Sequence, residues 1–359
     1  MATVARFFVG IDLHKDSMEV CVLSELAEVV ERRRFGIPTL TRASTAFEAL
    51  CKWSQNGRFA VEAVGMNRWL VDACLKRGLD IVVVDPTKLG LKALGKKTDR
   101  NDAYEIARRL LLGDIDRNAR TYYPTLEEYG ARKLIRVRRD LVQRRQGVIN
   151  QIRALFRAYK LPMPAGRLDA KSAVTWLRTQ ELASEALTAG LSADVGVLAV
   201  MNEEIRSLDR RIKAVAQQLE GVALLRTIPS VHDLSAVTIL AELGDITRFR
   251  GSRTLAAYAG LAPRVSQSGD RAHHGAITHR GSRELRYILI QLAVRLLMRE
   301  PLVQQWARPL LKRRHKNKVR IALARRLLVS IRRMLLTGEA FHLQRCLNLR
   351  LGGTIPVHH

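Results

Sequence analysis

The feature that most constrains this chain is a change of hydrophobic period near residue 126. Before it, short apolar runs alternate with helical stretches. After it, residues 126–160 keep a helical pattern without a single proline. Period two belongs to strands and period 3.6 to helices, so two architectures are expected in succession. The first is a mixed α/β domain and the second is all-α.

Within the first part, apolar runs at 7–11 and 18–23 flank the polar break His14-Lys15-Asp16, which predicts a hairpin. Residues 29–37 read as a third strand. A helix over 40–53 places Ala46, Phe47, Leu50 and Trp53 at helical spacing. Residues 59–62 form a short strand, 69–76 a helix stopped by Gly78, and 81–84 a buried strand ending at Asp85-Pro86. A helix follows over 99–112.

In the second part, residues 131–160 carry ten Lys or Arg against one acid, Asp140. A second long helix is expected over 194–219, with Pro162, Pro164 and Gly166 marking the bend between the two. Two long helices joined by a small helical insert predict an antiparallel coiled-coil arm, with an ordinary helical bundle as the alternative. From 221 onward short helices and loops are expected. Residues 306–336 hold eleven Lys or Arg and no acid, and the tail from Gly352 reads as disordered. The expected domains are 1–125, 126–220, 221–345 and a tail at 346–359.

Charge narrows the function. Lys and Arg number 61 against 34 acids, a net charge of +27 over 359 residues. Clustered cations gain affinity for polyanions by displacing counterions from phosphates, so a nucleic-acid partner is expected. A hydrophobic share of 47% is enough for packed cores, while aromatics at 5% argue against base stacking as the main contact. The cysteines Cys21, Cys51, Cys74 and Cys346 show no CxxC spacing and no histidine that completes a zinc site, so they read as thiols in a reducing compartment. No signal peptide opens the chain, and no run approaches the ~20 apolar residues of a membrane span. An intracellular, cytoplasmic protein is expected.

Four acids are the first candidates for chemistry. Asp12 follows a strand, Glu62 ends another, and Asp99 and Asp102 stand three apart at a helix start, on one face. Carboxylates at strand ends and a helix start converge at one edge of an α/β sheet. Such oxygen ligands suit Mg2+, with Mn2+ as the alternative, and two such ions could stabilise the attacking and leaving oxygens of a phosphodiester. Helix capping for Asp99 and Asp102, and a turn role for Asp12, explain each residue alone equally well.

The motifs go further. "FVGIDLHKDSMEVCVL", "FAVEAVG", "LDIVVVDPTKLGLKALGKKTDRNDAYEIARRL" and "LAAYAGLAPRVSQSGDRAHHGAITHRGSRELRYILIQLA" together resemble the bridge-RNA-guided insertion-sequence transposases, relatives of the Piv-type DNA invertases. The resemblance implies an RNase H-like (RuvC-like) N-terminal domain whose acidic quartet is Asp12, Glu62, Asp99 and Asp102. It implies a helical C-terminal domain with a nucleophilic serine at Ser268, before Gly269, with Ser266 as the rival. It also implies a composite site built by two protomers of a dimer or tetramer. A non-coding bridge RNA would pair with both target and donor double-stranded DNA, in the bacterial nucleoid.

A serine hydroxyl is a weak nucleophile that needs activation or a metal-polarised phosphate. Gly269 permits close backbone approach to a phosphate. Arg264, Arg271, His273, His274 and Arg280 are placed to neutralise charge on it, the histidines as phosphate contacts rather than zinc ligands. Arg138, Arg139, Arg144 and Arg145 on the arm, and Arg313, Arg314, Lys316 and Lys318 near the end, are expected to track nucleic-acid backbones, which positions without specifying. The segment "TIPSVHDLSAVTILAELGD" resembles a helix-hairpin-helix turn but carries Ser230 and His232 where two glycines are usual, which puts DNA contact there in doubt. Competing readings are a metal-only nuclease of the RuvC type, a Piv-type invertase, and a non-catalytic architectural protein.

Overall fold

The structure, a computed structural model, describes residues 7–89, 99–164, 166–268, 271–277 and 281–349, with side chains described at all of these except 99, 100 and 263–277. The chain divides into two compact units, residues 1–123 and 124–359.

In the first unit, β1 (Phe7–Leu13), β2 (Ser17–Ser24) and β3 (Val29–Gly36) form an antiparallel meander. After α1 (Leu40–Leu50), β4 (Gly57–Glu62) pairs parallel with β1, and after α2 (Arg68–Lys76), β5 (Asp80–Val84) pairs parallel with β4. A short helix α3 (Pro86–Leu89) precedes α4 (Asp99–Leu111), and β6 (Arg120–Thr121) closes the sheet in the order β3-β2-β1-β4-β5-β6. This is consistent with the RNase H-like sheet expected. The two-residue β6 escaped prediction because so short a strand carries no period.

Alternation decides which face each residue serves. Val9, Ile11, Val20, Val22, Phe59, Val61, Ile81 and Val83 pack with Phe47, Leu50, Leu70 and Cys74 of α1 and α2. Ala60, Val82 and Val84 on the other face pack with Ile106 and Leu110 of α4, and Cys21 and Leu23 with its Ala103 and Ala107. The sheet is thus covered on both faces.

In the second unit, α5 (Leu126–Ala158) begins at a capping box in which Thr125 and Glu128 bond each other's backbone N–H. After α6 (Lys171–Leu177), α7 (Glu185–Gln218) returns beside α5. The two run antiparallel, since Ala131 and Ile135 near the start of α5 share a cluster with Ile212 and Ala216 near the end of α7. Ile149, Ile152 and Phe156 join Leu191, Val195 and Leu198 in another. The second helix starts at Glu185, nine residues before the expected 194, because Ser184 caps it and the small Ala186, Ala189 and Gly190 carry little amphipathic signal.

The remainder holds α8 (Val222–Leu225), α9 (Asp233–Leu243), α10 (Ser252–Tyr258), a hairpin of β7 (Pro263–Ser268) and β8 (Arg271–Ile277), then α11 (Arg283–Arg299), α12 (Pro301–Arg313), α13 (Lys316–Thr337) and α14 (Leu343–Cys346). Two departures from expectation stand out here. A strand pair interrupts the helices, and α11 and α13 are long, at 17 and 22 residues, where short helices were expected. Arginines masked the period of α13, whose buried Val319, Leu323, Leu327, Leu328 and Ile331 nevertheless keep helical spacing.

Candidate active site

Asp12 lies on the last turn of pleat in β1 and is 5% exposed. Ile11 pairs with Val61 in the parallel ladder, so one residue further along each strand stand Asp12 and Glu62, on the same face. Asp12 also pairs with Glu19 across β2. His14 Nε2 lies 3.1 Å from Asp12 Oδ2. The end of β4 is held from below: Asn67, 7% exposed, donates from Nδ2 to the Glu62 carbonyl oxygen at 2.8 Å. These two polar residues, His14 and Asn67, were missed by sequence reading. His14 was discoverable, because it stands two positions after Asp12 and so repeats its side of the pleat.

Gly10 fixes the height of α4 above this face. A Cβ at Gly10 would lie 2.1 Å from the Ala103 carbonyl oxygen and 2.4 Å from the Ala107 nitrogen, so only glycine lets helix and strand approach this closely. Gly10 shares its face with Asp12, and Ala103 directly follows Asp102. The half-buried Asp102 is thereby carried to the acid-bearing side of the sheet. Asp99 opens α4, and its side chain lies outside the described residues. Among the described residues no three acids, histidines or cysteines are gathered tightly enough to enclose a metal ion. The donor set nonetheless fits a hard divalent cation, since carboxylate oxygens at strand ends and on one helix supply the ligand type it takes.

In the second unit, Ser268 ends β7 opposite Arg271, and Ser266 stands opposite His273. Arg264 lies on β7 and His274 on β8. The side chains of all six lie outside the described residues, as do Gly269 and Arg280 altogether. On α5, Arg138 makes a fork with Asp209, Nε to Oδ1 at 2.5 Å and Nη2 to Oδ2 at 3.2 Å. Arg145 donates to Asn202 Oδ1 at 3.0 Å and lies 3.0 Å from Asp169. Arg139 pairs with Glu284. Arg144 is exposed, as are Arg313, Arg314, Lys316 and Lys318 around the junction of α12 and α13.

The turn before α9 settles what its missing glycines cost. Ser230 takes φ +66°, the left-handed region that favours glycine, whereas His232 at φ −122° is extended and needs none.

Two acids thus stand at the ends of adjacent parallel strands, in a chain with a large excess of cations. Comparison narrows the class to transposases. Residues 9–161, which include all four acids, match the IS110-type DEDD transposase family, and residues 222–308, which include Ser268, match the family described as Transposase IS116/IS110/IS902. The chain belongs to the IS110/IS116 family of insertion-sequence transposases. It is 29% identical over 326 residues to the transposase for insertion sequence element IS1111A of Coxiella burnetii, covering 88% of this chain and 85% of that one. It is 27% identical to a probable family 20 transposase of Pseudomonas aeruginosa, covering 88% and 93%. A pilin gene-inverting protein of Moraxella bovis is 33% identical over 134 residues, 35% of this chain and 42% of its own length. No helix among the described residues is long and apolar enough to cross a membrane.

Proposed function

We propose that the chain is an RNA-guided DNA recombinase that cleaves and rejoins strands through a phosphoserine link. The observation that carries the reading is the placement of Asp12 and Glu62 at adjacent strand ends, on the face to which Gly10 seats the helix bearing Asp102. Asp12, Glu62, Asp102 and Asp99 would hold Mg2+, or Mn2+, which when bound supplies electrostatic stabilisation of the phosphate under attack. The Ser268 hydroxyl attacks phosphorus, loses its proton, and releases a strand with a free hydroxyl. Attack of a strand hydroxyl on the phosphoserine reverses the step and frees the serine. Phosphodiester energy is conserved, so no nucleotide cofactor is consumed. Arg264, Arg271, Arg280, His273 and His274 would neutralise the phosphate.

Exposed Arg144, Arg313, Arg314, Lys316 and Lys318 would follow RNA or DNA backbones, while pairing with a bridge RNA specifies target and donor. The intramolecular partners of Arg138, Arg139 and Arg145 favour a structural role for those three. The α5–α7 pair reads as a coiled-coil arm: the buried Leu191, Val195, Leu198, Asn202 and Ile205 recur at alternating intervals of four and three. The working unit would be a homo-oligomer, dimer or tetramer, in the bacterial cytoplasm on nucleoid DNA. Inversion of DNA is the second reading, favoured by the likeness of one stretch to the pilin gene-inverting proteins.

Incubating the protein, its co-purified RNA and a donor duplex, then denaturing, should leave a covalent protein–DNA adduct that Ser268→Ala abolishes. Rejoining by Ser268→Ala would sink the serine mechanism. A preparation without a discrete RNA that still recombines would sink the guidance.

A further inference from the structure

The chemistry above makes no use of the charge buried in the second unit. Glu242 on α9 and Glu284 on α11 are 3% and 7% exposed. Each meets an arginine of α5: Arg136 Nη2 lies 3.5 Å from Glu242 Oε1, and Arg139 pairs with Glu284. Arg132 adds two bonds to backbone, from Nε to the Ala241 oxygen at 2.6 Å and from Nη2 to the Glu242 oxygen at 3.3 Å. Residues 132, 136 and 139 are spaced by four and three, one face of the helix. The root of α5 is therefore seated on α9 and α11 through three arginines.

The same glutamate holds something else. Glu242 Oε2 accepts from Ser282 Oγ at 2.9 Å, and the Glu242 carbonyl oxygen accepts from Tyr258 OH at 2.8 Å. Tyr258 and Ser282 are the two feet of the excursion that contains the β7–β8 hairpin. They are also joined directly, Ser282 N donating to the Tyr258 oxygen at 2.8 Å. Gly281, at φ +101°, lies so close that a Cβ there would come within 2.3 Å of that oxygen. One residue thus touches both feet of the hairpin and α5: its carboxylate meets Ser282 and Arg136, and its backbone carbonyl meets Tyr258 and Arg132.

We propose that Glu242 is a positioning residue that couples the root of α5 to the β7–β8 hairpin and so sets where Ser268 is presented. The presentation of a nucleophile rests on the function proposed above; the coupling itself does not. Withdrawal of Arg136 leaves Glu242 buried without its cation, and the feet loosen as the carboxylate seeks other partners. Movement of the arm on nucleic acid is thereby transmitted to the hairpin.

Amide hydrogen exchange on the full chain tests this, read together with the rate of adduct formation and with nucleic-acid affinity. Glu242→Gln and Arg136→Ala should each raise exchange in residues 271–277 about tenfold, the scale of one lost buried charge contact, and slow the adduct comparably. Affinity and exchange in α13 should stay unchanged, and Arg136→Lys should restore most of the protection. Unchanged hairpin exchange in both variants overturns the proposal, as does an equal rise across the whole second unit. If Ser268→Ala still rejoins DNA while Glu242→Gln loosens the hairpin, the nucleophile is misassigned and the coupling stands.

Discussion

In the first unit, Asp12 is 5% exposed and its neighbours across the strands are Glu19 and Glu62; in the second, the equally buried Glu242 and Glu284 each face an arginine of α5. The residue types match, and the company differs. Around Asp12 the carboxylates outnumber the cationic partners, His14 on Asp12 and Arg34 on Glu19, and acids so placed repel one another less when a cation joins them. In the second unit each buried carboxylate has an arginine of α5 beside it, which balances its charge and holds elements in place. Burial of an acid alone therefore does not separate the two units; the balance of charge around it does.

The comparison breaks most visibly at Asp12. Asp12→Asn, or chelation of divalent ions, should slow strand cleavage by about 10³-fold, a loss of several kcal/mol of charge stabilisation, with DNA affinity retained. A gel assay on labelled donor duplex reads this, and wild-type cleavage by the variant would assign the acids to structure. In the second unit the loss should fall on stability. Glu284→Ala leaves the half-buried Arg139 with Asp140 as its remaining acid and should cost about 1–3 kcal/mol in urea unfolding. The double replacement Arg139→Met with Glu284→Leu should recover most of it. A double variant as unstable as the single one would mean that the pair does more than balance charge.

Gly10→Ala bears on how α4 delivers Asp102. The added methyl collides with helix backbone, so about 1–3 kcal/mol of stability should go, with cleavage falling alongside. Thermal melts paired with the cleavage assay check this, and lost stability with full activity would separate α4 from the site. Ser230→Gly relieves a left-handed serine and should be stabilising by about 1 kcal/mol, partly offset by the freer unfolded chain.

The smallest effect is acid titration. Asp116 in the first unit is held below the ordinary carboxyl value of 3.8 by its bonds to Arg58, and Asp169 in the second by Arg167 and then Arg145. A depressed carboxyl contributes stability that is present above 3.8 and lost as pH falls through the lowered value. Asp116→Asn should flatten the dependence of unfolding free energy on pH below 4 by less than about 1 kcal/mol, read by urea unfolding across that range, as expected for partly exposed pairs.

Much of the first unit was legible because each element there carries its own period. The hairpin around His14-Lys15-Asp16, the strand ending at Glu62 and the helix opening at Asp99 all stand where alternation and helical spacing put them. The start of α7 was not legible, because Ala186, Ala189 and Gly190 carry no amphipathic contrast. Nor was the β7–β8 hairpin, which lies between strongly helical segments. The charge of α5 was legible as a count, and its use was not: Arg138, Arg139 and Arg145 turn inward to acids and amides far away in sequence.

Sequence alone nominated the candidate acids and the nucleic-acid partner, since acid types, their local spacing and the excess of cations are properties of neighbouring residues. Tertiary structure decided which acids stand together. Strand register brings Asp12 beside Glu62 and Glu19, Gly10 lets α4 down onto them, and helix packing brings Arg136 to Glu242. Each of these contacts joins residues remote in the chain, where no local period can report it, and each depends on how closely two backbones approach.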